Sequence, residues 1–464
     1  MVFSSMAFLF AFLMISILCY FAVPARCRSG RNLVLLGCSL FFYFFGEPLG
    51  IFLMLASICG NYFAARLIAR RRRRLFLILA LCFNLGILGV FKYADFVLEN
   101  CNALFGLSLP MTGIVMPIGI SFFTFQGLSY VLDVWKGTVP VQKNLLHIAA
   151  YISMYPQLVA GPIVRYETVA AELLDRRETL TDAAEGARRF LYGLAKKMLL
   201  SNAMGEIASA VFAEDPAALA APVAWVGALA YTFHIFFDFS GYSDMAIGLG
   251  RIFGFHFLEN FNYPYIARSV TEFWRRWHIS LSSWFRDYVY IPLGGSRRGL
   301  PRQLFNIAVV WALTGLWHGA AWNFVLWGVL FAGLLILEKC FLLRWLERLP
   351  RAVGHLYTLF FVILGWVLFN TTSLAHTAGY LAALFRLPEH SRDLGQAVYY
   401  LRQYLPEWIL CVLFSLPVAP WIRGKLSGRR YYEPLVTLGA AALFLLSLLS
   451  VVSSSFNPFI YFRF

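Results

Sequence analysis

The stretch TEFWRRWHISLSSWFRDYVYIPLGGSRRG, residues 271–299, crowds aromatic side chains, arginines and one histidine between runs apolar enough to sit in lipid. Advanced at 100° per residue as one helix, it places Trp274, Trp277, Leu281, Trp284, Phe285 and Tyr288 within roughly a third of the circumference. Arg275, Ser282, Ser283, Arg286 and Asp287 fall outside that face. This is the pattern of a basic amphipathic helix at a membrane surface, with its arginines among the headgroups. His278 projects about 40° from Trp274, among the aromatics. A histidine in that position needs a buried hydrogen-bond partner or a chemical role. The run closes on a Gly-rich turn.

Around this stretch the chain is built for lipid. Its 464 residues are 60% hydrophobic and 17% aromatic, with only 14% charged, and several apolar runs reach membrane-spanning length. The expected fold class is all-α, a polytopic integral membrane protein of about eleven spans with re-entrant and amphipathic helices between them. One transmembrane domain covers residues 1–464, with no internal repeat and no separate soluble domain. The net charge of +15 sits in short arginine clusters between apolar runs. That is the positive-inside pattern, which implies membrane lipid headgroups as the contact and no nucleic acid. Eight cysteines, at 19, 27, 38, 59, 82, 101, 340 and 411, show no CxxC pair and no metal-ligand spacing. The first apolar run, 2–23, lacks a basic leader and a convincing cleavage site, so it reads as a retained span.

Arg26, Arg28 and Arg31 follow that run, and a second basic cluster fills 70–74. Between them a helical pair, 33–45 and 49–68, breaks at Gly46-Glu47-Pro48 and brings both clusters to one side. Runs 75–91 and 94–107 read as separate segments. Ser121, Thr124, Gln126, Ser129 and Asp133 within 116–134 point to protein-facing positions. Residues 145–163 contain Pro156, Gly161 and Pro162 and read as a broken or re-entrant element, because non-helical backbone at membrane depth needs surrounding protein or a cavity. The polar stretch 172–181 reads as a cytoplasmic surface segment. Apolar runs 223–239 and 243–255 are separated by FDFSGYSD. Runs 304–316 and 320–337 flank Trp317-His318-Gly319, and 356–369, 408–421 and 435–452 close the chain.

His318 lies in WALTGLWHGAAWN, residues 311–323. An imidazole inside a span is costly, so it faces protein and often marks a functional path. Thr314 and Trp322 share its helix face, and Gly315, Gly319 and Ala320 permit close approach of a helix or ligand. A buried histidine satisfied by a neighbouring carbonyl is the alternative. Asp238 and Asp244 could relay protons or bind a cation, but pairing with arginines is the simpler reading. There is no Gly-rich phosphate loop, no GxSxG elbow and no metal cluster. Two function classes remain, a transporter with buried polar residues and an intramembrane transferase that uses histidine.

Residues 231–295, YTFHIFFDFSGYSDMAIGLGRIFGFHFLENFNYPYIARSVTEFWRRWHISLSSWFRDYVYIPLGG, resemble the membrane-bound O-acyltransferase (MBOAT) superfamily. Within it the chain looks like the bacterial branch that contains the alginate O-acetyltransferase membrane subunit. SFFTFQGLSYVLDVWKG (121–137), YPQLVAGPIVRY (155–166), LTGLWHGAAWNFVLWG (313–328) and NPFIYFRF (457–464) belong to the same pattern, in the same order. The D-alanyl transfer protein of teichoic acid synthesis is a more distant relative that shares the WHG histidine. The resemblance implies a helical fold around a central tunnel in the bacterial cytoplasmic (inner) membrane. Acyl donor would enter from the cytoplasm and acceptor from the outer side.

The family's signature histidine maps onto His318 and its second histidine onto His278. The resemblance makes His318 a general base, and has His278 orient a substrate or stabilise an oxyanion. Arg275, Arg276 and Arg286 would attract the phosphates of a coenzyme A or phosphopantetheine donor. Trp274, Trp277, Trp317 and Asn323 complete the candidate substrate-binding set. The implied donor is acetyl-CoA or an acyl carrier thioester, with no permanently bound cofactor and no metal. The implied partners are a polysaccharide acceptor and an extracytoplasmic acyltransferase that completes the transfer. His234 stands where the pattern expects glutamine or another polar residue, and no role is assigned to it.

Overall fold

The computed structural model describes residues 3–70, 73–159, 161–387, 391–453 and 459. Arg71 and Arg72 of the second basic cluster, Ala160 of YPQLVAGP, and all of NPFIYFRF except Phe459 lie outside the described residues. Every regular element among the described residues is helical. The chain forms two compact units, Met1–Phe190 with Ser243–Leu258, and Leu191–Tyr242 with Glu259–Phe464.

In the first unit, helices Arg28–Gly46 and α1 (Gly50–Arg70) break at Glu47-Pro48, as the proline demands. α2 (Arg73–Leu88) passes through a π-helical turn at Gly89–Tyr93 into Ala94–Phe105, so runs 75–91 and 94–107 are one apolar helix and not two. No proline separates them, and a π turn absorbs the irregularity within the helix. α3 (Ile120–Lys136) buries Ser121, Thr124, Gln126, Ser129 and Asp133 inside protein. The broken element is present: Leu145–Ser153 is a helix, Tyr155–Leu158 is a single turn, and the buried backbone that follows is irregular. A charge cluster locks this unit. Glu178 pairs with Arg28, with Arg31 at 2.8 Å and with Arg176 at 3.6 Å, and accepts the Tyr20 hydroxyl at 2.6 Å.

α4 (Leu180–Ala195) leads to α5 (Ala221–Ile252), which corrects the sequence reading: FDFSGYSD does not interrupt the helix. Its acids are neutralised from neighbouring elements, Asp244 by Arg189 at 2.9 Å and Asp238 by Lys197 at 2.6 Å. With no proline in the stretch, nothing breaks the backbone ladder.

In the second unit follow α6 (Val270–Arg276), α7 (Ile279–Phe285), α8 (Leu300–His318), α9 (Trp322–Leu337) and α10 (Arg351–Asn370). Their core is aromatic, with Trp274 set edge-on to Trp327 at 5.4 Å and to Phe331 at 4.9 Å. Such edge-to-face pairs favour defined ring geometry over a fluid apolar contact.

Six described helices are long and apolar enough to cross a membrane: Gly50–Arg70, Arg74–Phe105, Ala221–Ile252, Trp322–Arg348, Arg351–Asn370 and Tyr432–Ser453. Leu405–Ser415 and Val418–Leu426, bent by 69°, make a seventh if counted as one span. Other apolar runs form shorter helices, such as Ala7–Ala22, so length and composition alone do not bring the count to about eleven. Across an 18-residue apolar window of each, 83% of α5 is buried against 11% of Tyr432–Ser453, so that part of the first is enclosed by protein while that of the second is left mostly uncovered.

Candidate active site

Residues 271–299 are not one helix. α6 stops at Arg276, α7 starts at Ile279, and His278 between them takes φ 44° and ψ 54°. This left-handed conformation costs a side-chain-bearing residue about 1–2 kcal/mol, so neighbours must hold it. The loop before α6 does so: Asn262 N–H donates to the Arg276 carbonyl, and Ile279 N–H to the Asn260 carbonyl, both at 2.9 Å. The two short helices and the link between them still bury Trp274, Trp277, Leu281, Trp284 and Phe285, because the apolar side chains press into the protein; Tyr288 is half-buried. At the start of α6, Ser269 caps Glu272 N–H at 3.0 Å. Buried Glu338, in the π turn after α9, accepts Val270 N–H, Thr271 N–H and the Thr271 hydroxyl at 2.6, 2.8 and 2.6 Å. A carboxylate on otherwise orphaned N-terminal N–H groups anchors the helix electrostatically. Past α7 the chain turns on Gly294 (φ 110°) and Gly295 (φ 55°), where Asn306 donates to the Gly295 carbonyl at 3.0 Å.

His318 is the last residue of α8. The helix carbonyls end beside it, so positive charge developing on its ring would face the negative pole of α8. α8 and α9 meet at glycines. A β-carbon on Gly328 would stand 2.5 Å from the Trp311 carbonyl, and one on Gly315 would collide with that of Phe324. The close approach expected around Gly315 is therefore made by a helix. The buried His318 ring is walled by Trp317, Trp327 and Phe369, with centroids at 4.9, 5.0 and 5.1 Å.

A cavity of about 480 Å³ opens on this arrangement, a size typical of small-molecule sites. His278 and His318 both line it, with Trp274, Arg275, Trp277 and Arg286, and with Thr314, Ser282 and Ser283 as smaller polar neighbours. The Trp317 ring contacts both imidazoles, at 6.0 Å from His278 and 4.9 Å from His318. Arg276 and Asn323 do not line the cavity. Arg276 pairs with Glu272 at 2.8 Å, and Asn323 donates to the Thr371 carbonyl at 2.7 Å. Arg275 and Arg286 are exposed, the latter held by Asp287 at 2.7 Å. His278 is 3% exposed, and burial pushes its imidazole down to about 3, so the ring is neutral. Its Nδ1 lies 3.2 Å from Asn260 Oδ1, while its Nε2 has no hydrogen-bond partner among the described residues.

The remaining candidates sit elsewhere. Asp238 and Asp244 are in ion pairs, the simpler of their readings, although the cation at Asp238 is lysine. His234 Nδ1 lies 2.7 Å from the Ser201 carbonyl. Among the described residues no three His, Cys, Asp or Glu side chains gather as a metal site. Asn260 and Glu338 escaped the sequence reading. The one available signal was Glu338 as a lone carboxylate in FAGLLILEKC, residues 331–340.

The sequence model of the MBOAT, membrane-bound O-acyltransferase family matches residues 140–381. A protein of Azotobacter vinelandii described as "Probable alginate O-acetylase AlgI" is 37% identical, with both chains covered in full. The "Peptidoglycan O-acetyltransferase" of Helicobacter pylori is 31% identical over 100% of this chain and 98% of its own. The "Teichoic acid D-alanyltransferase" of Bacillus subtilis is 27% identical over 58% of this chain and 72% of its own.

Proposed function

The chain belongs to the membrane-bound O-acyltransferase family and is an integral-membrane O-acyltransferase, and from that premise we propose that it moves an acetyl group from a cytoplasmic thioester to a hydroxyl of an exported polysaccharide. The observation that carries this reading is the single cavity lined by both His278 and His318. His318 takes the proton of the acceptor hydroxyl, since a neutral imidazole is a competent base near neutral pH; the oxygen bonds to the acyl carbon, the carbon–sulfur bond breaks, and the proton passes from His318 to the departing thiolate, which leaves as the free thiol. The thioester needs little activation, so orientation and proton removal supply most of the acceleration. Arg275 and Arg286 at the cavity draw in the phosphates of acetyl-CoA or of an acyl carrier's phosphopantetheine.

The donor enters from the cytoplasmic face of the bacterial inner membrane and the acceptor from the outer face, through a tunnel. The shorter apolar helices bring the crossings to about eleven. An extracytoplasmic partner protein receives the acetyl group first where the polymer is not the immediate acceptor.

The test is His318→Ala in purified, liposome-reconstituted protein supplied with labelled acetyl-CoA. The expected result is normal accumulation in the membrane with transfer lost. Full transfer by the alanine variant refutes the base assignment. Label crossing the bilayer without any His318 requirement would establish a transporter in its place.

A further inference from the structure

The loop residue Asn260 decides which nitrogen of His278 carries the proton. Asn260 is 1% exposed, and its Oδ1 faces three donors' positions: Ser280 N–H at 3.2 Å, the Ser280 hydroxyl at 2.9 Å and His278 Nδ1 at 3.2 Å. A backbone N–H can only donate, so the atom opposite it must be the amide oxygen and not the amide nitrogen. The imidazole nitrogen facing that same oxygen must then be an N–H. In the other tautomer two lone pairs would oppose each other at 3.2 Å, and the Ser280 hydroxyl would have to turn to Nδ1 at 3.4 Å. That tautomer would also bury Nε2–H without an acceptor among the described residues, and orphaned buried N–H groups are rarer and costlier than unfilled acceptors.

We propose that Asn260 is a positioning residue that locks His278 as its Nδ1–H tautomer and so leaves its buried Nε2 a bare hydrogen-bond acceptor. His278 in that state accepts from a substrate O–H, N–H or S–H group. It does not donate to a developing oxyanion, which removes one of the two roles the resemblance allows it. The ionisable groups that share the cavity with it are His318, Arg275, Arg286 and Tyr290. The meaning of the tautomer for transfer rests on the proposed function above; its existence does not.

The experiment is nitrogen-15 spectroscopy of histidine-labelled full-length protein in lipid, with the His278 signals identified by their loss in His278→Gln. The expected spectrum has Nδ1 protonated and Nε2 unprotonated. Asn260→Ala should mix the tautomers and lower acetyl transfer about 100-fold. Asn260→Asp, which keeps an acceptor oxygen opposite Nδ1, should restore the tautomer and leave transfer within about tenfold of the wild type. A protonated Nε2 in the wild type overturns the inference, and so does an Asn260→Ala protein with unchanged tautomer and transfer. If Asn260→Ala does not fold, the wild-type and Asn260→Asp spectra decide. An Nδ1–H tautomer in a protein that transfers no acetyl group would uphold this inference while refuting the functional reading.

Discussion

Replacing Gly328 by alanine separates the placement of His318 from its chemistry. Gly328 lies on α9 where it meets α8, and a β-carbon there would stand 2.5 Å from the Trp311 carbonyl, against 3.4 Å for ordinary contact. The obstacle is helix backbone, with no flexible side chain to swing aside, so α8 and α9 must part by about 1 Å. Overpacking of this kind costs about 1–3 kcal/mol, which lowers thermal stability without abolishing the fold. Trp311 lies on the same helix as Thr314 and His318, and all three line the cavity. A displacement of about 1 Å at a reacting group costs on the order of 100-fold in rate. For the proposed transfer to polysaccharide, the assay is the acetyl content of the secreted polymer in a deletion strain complemented with each variant, normalised to protein in the membrane. Unfolding of the detergent-solubilised variants is followed in parallel. Gly333→Ala, also on α9, meets nothing within 4 Å and serves as the control, with no loss expected. If Gly328→Ala matches the control in both measurements, the glycine contact does not set the position of His318.

Two further outcomes follow from buried charge. Lys197→Met should lower stability by about 3–5 kcal/mol, because the buried Asp238 loses the lysine charge paired with it, whereas Lys197→Met with Asp238→Leu should recover most of the loss; thermal unfolding in detergent distinguishes the two, and equal damage in both would contradict an ion pair. Burial raises the Glu178 carboxyl, but hydrogen bonds from Arg28 and Tyr20 outweigh it and hold the group down at about 2, from an ordinary 4.5. Its contribution is thus present above pH 4.5 and lost as pH falls towards 2. Acid unfolding of Glu178→Gln should be less steep across that window than that of the wild type.

Much of the molecule is written in local pattern. Membrane residence and all-helical structure follow from apolar run length, and the break at Gly46-Glu47-Pro48 from proline, since these depend on neighbours in sequence. The two histidines stood out because an imidazole on an apolar face is unusual wherever the chain goes. Tertiary structure decided what depended on partners distant in the chain. FDFSGYSD reads as an interruption, yet Lys197 and Arg189 neutralise its acids and the helix continues. The helical wheel placed Trp274, Trp277 and Leu281 on the buried side but could not show the left-handed break at His278, which is held by backbone bonds to Asn260 and Asn262. Arg275 and Arg276 are adjacent and chemically alike, but only Arg275 reaches the cavity because Glu272 claims its neighbour. Periodicity carries information about which face a side chain takes. It carries none about which remote oxygen waits there, and in this protein those oxygens, Asn260 Oδ1 and the Glu338 carboxylate, hold the two ends of the segment that bears His278.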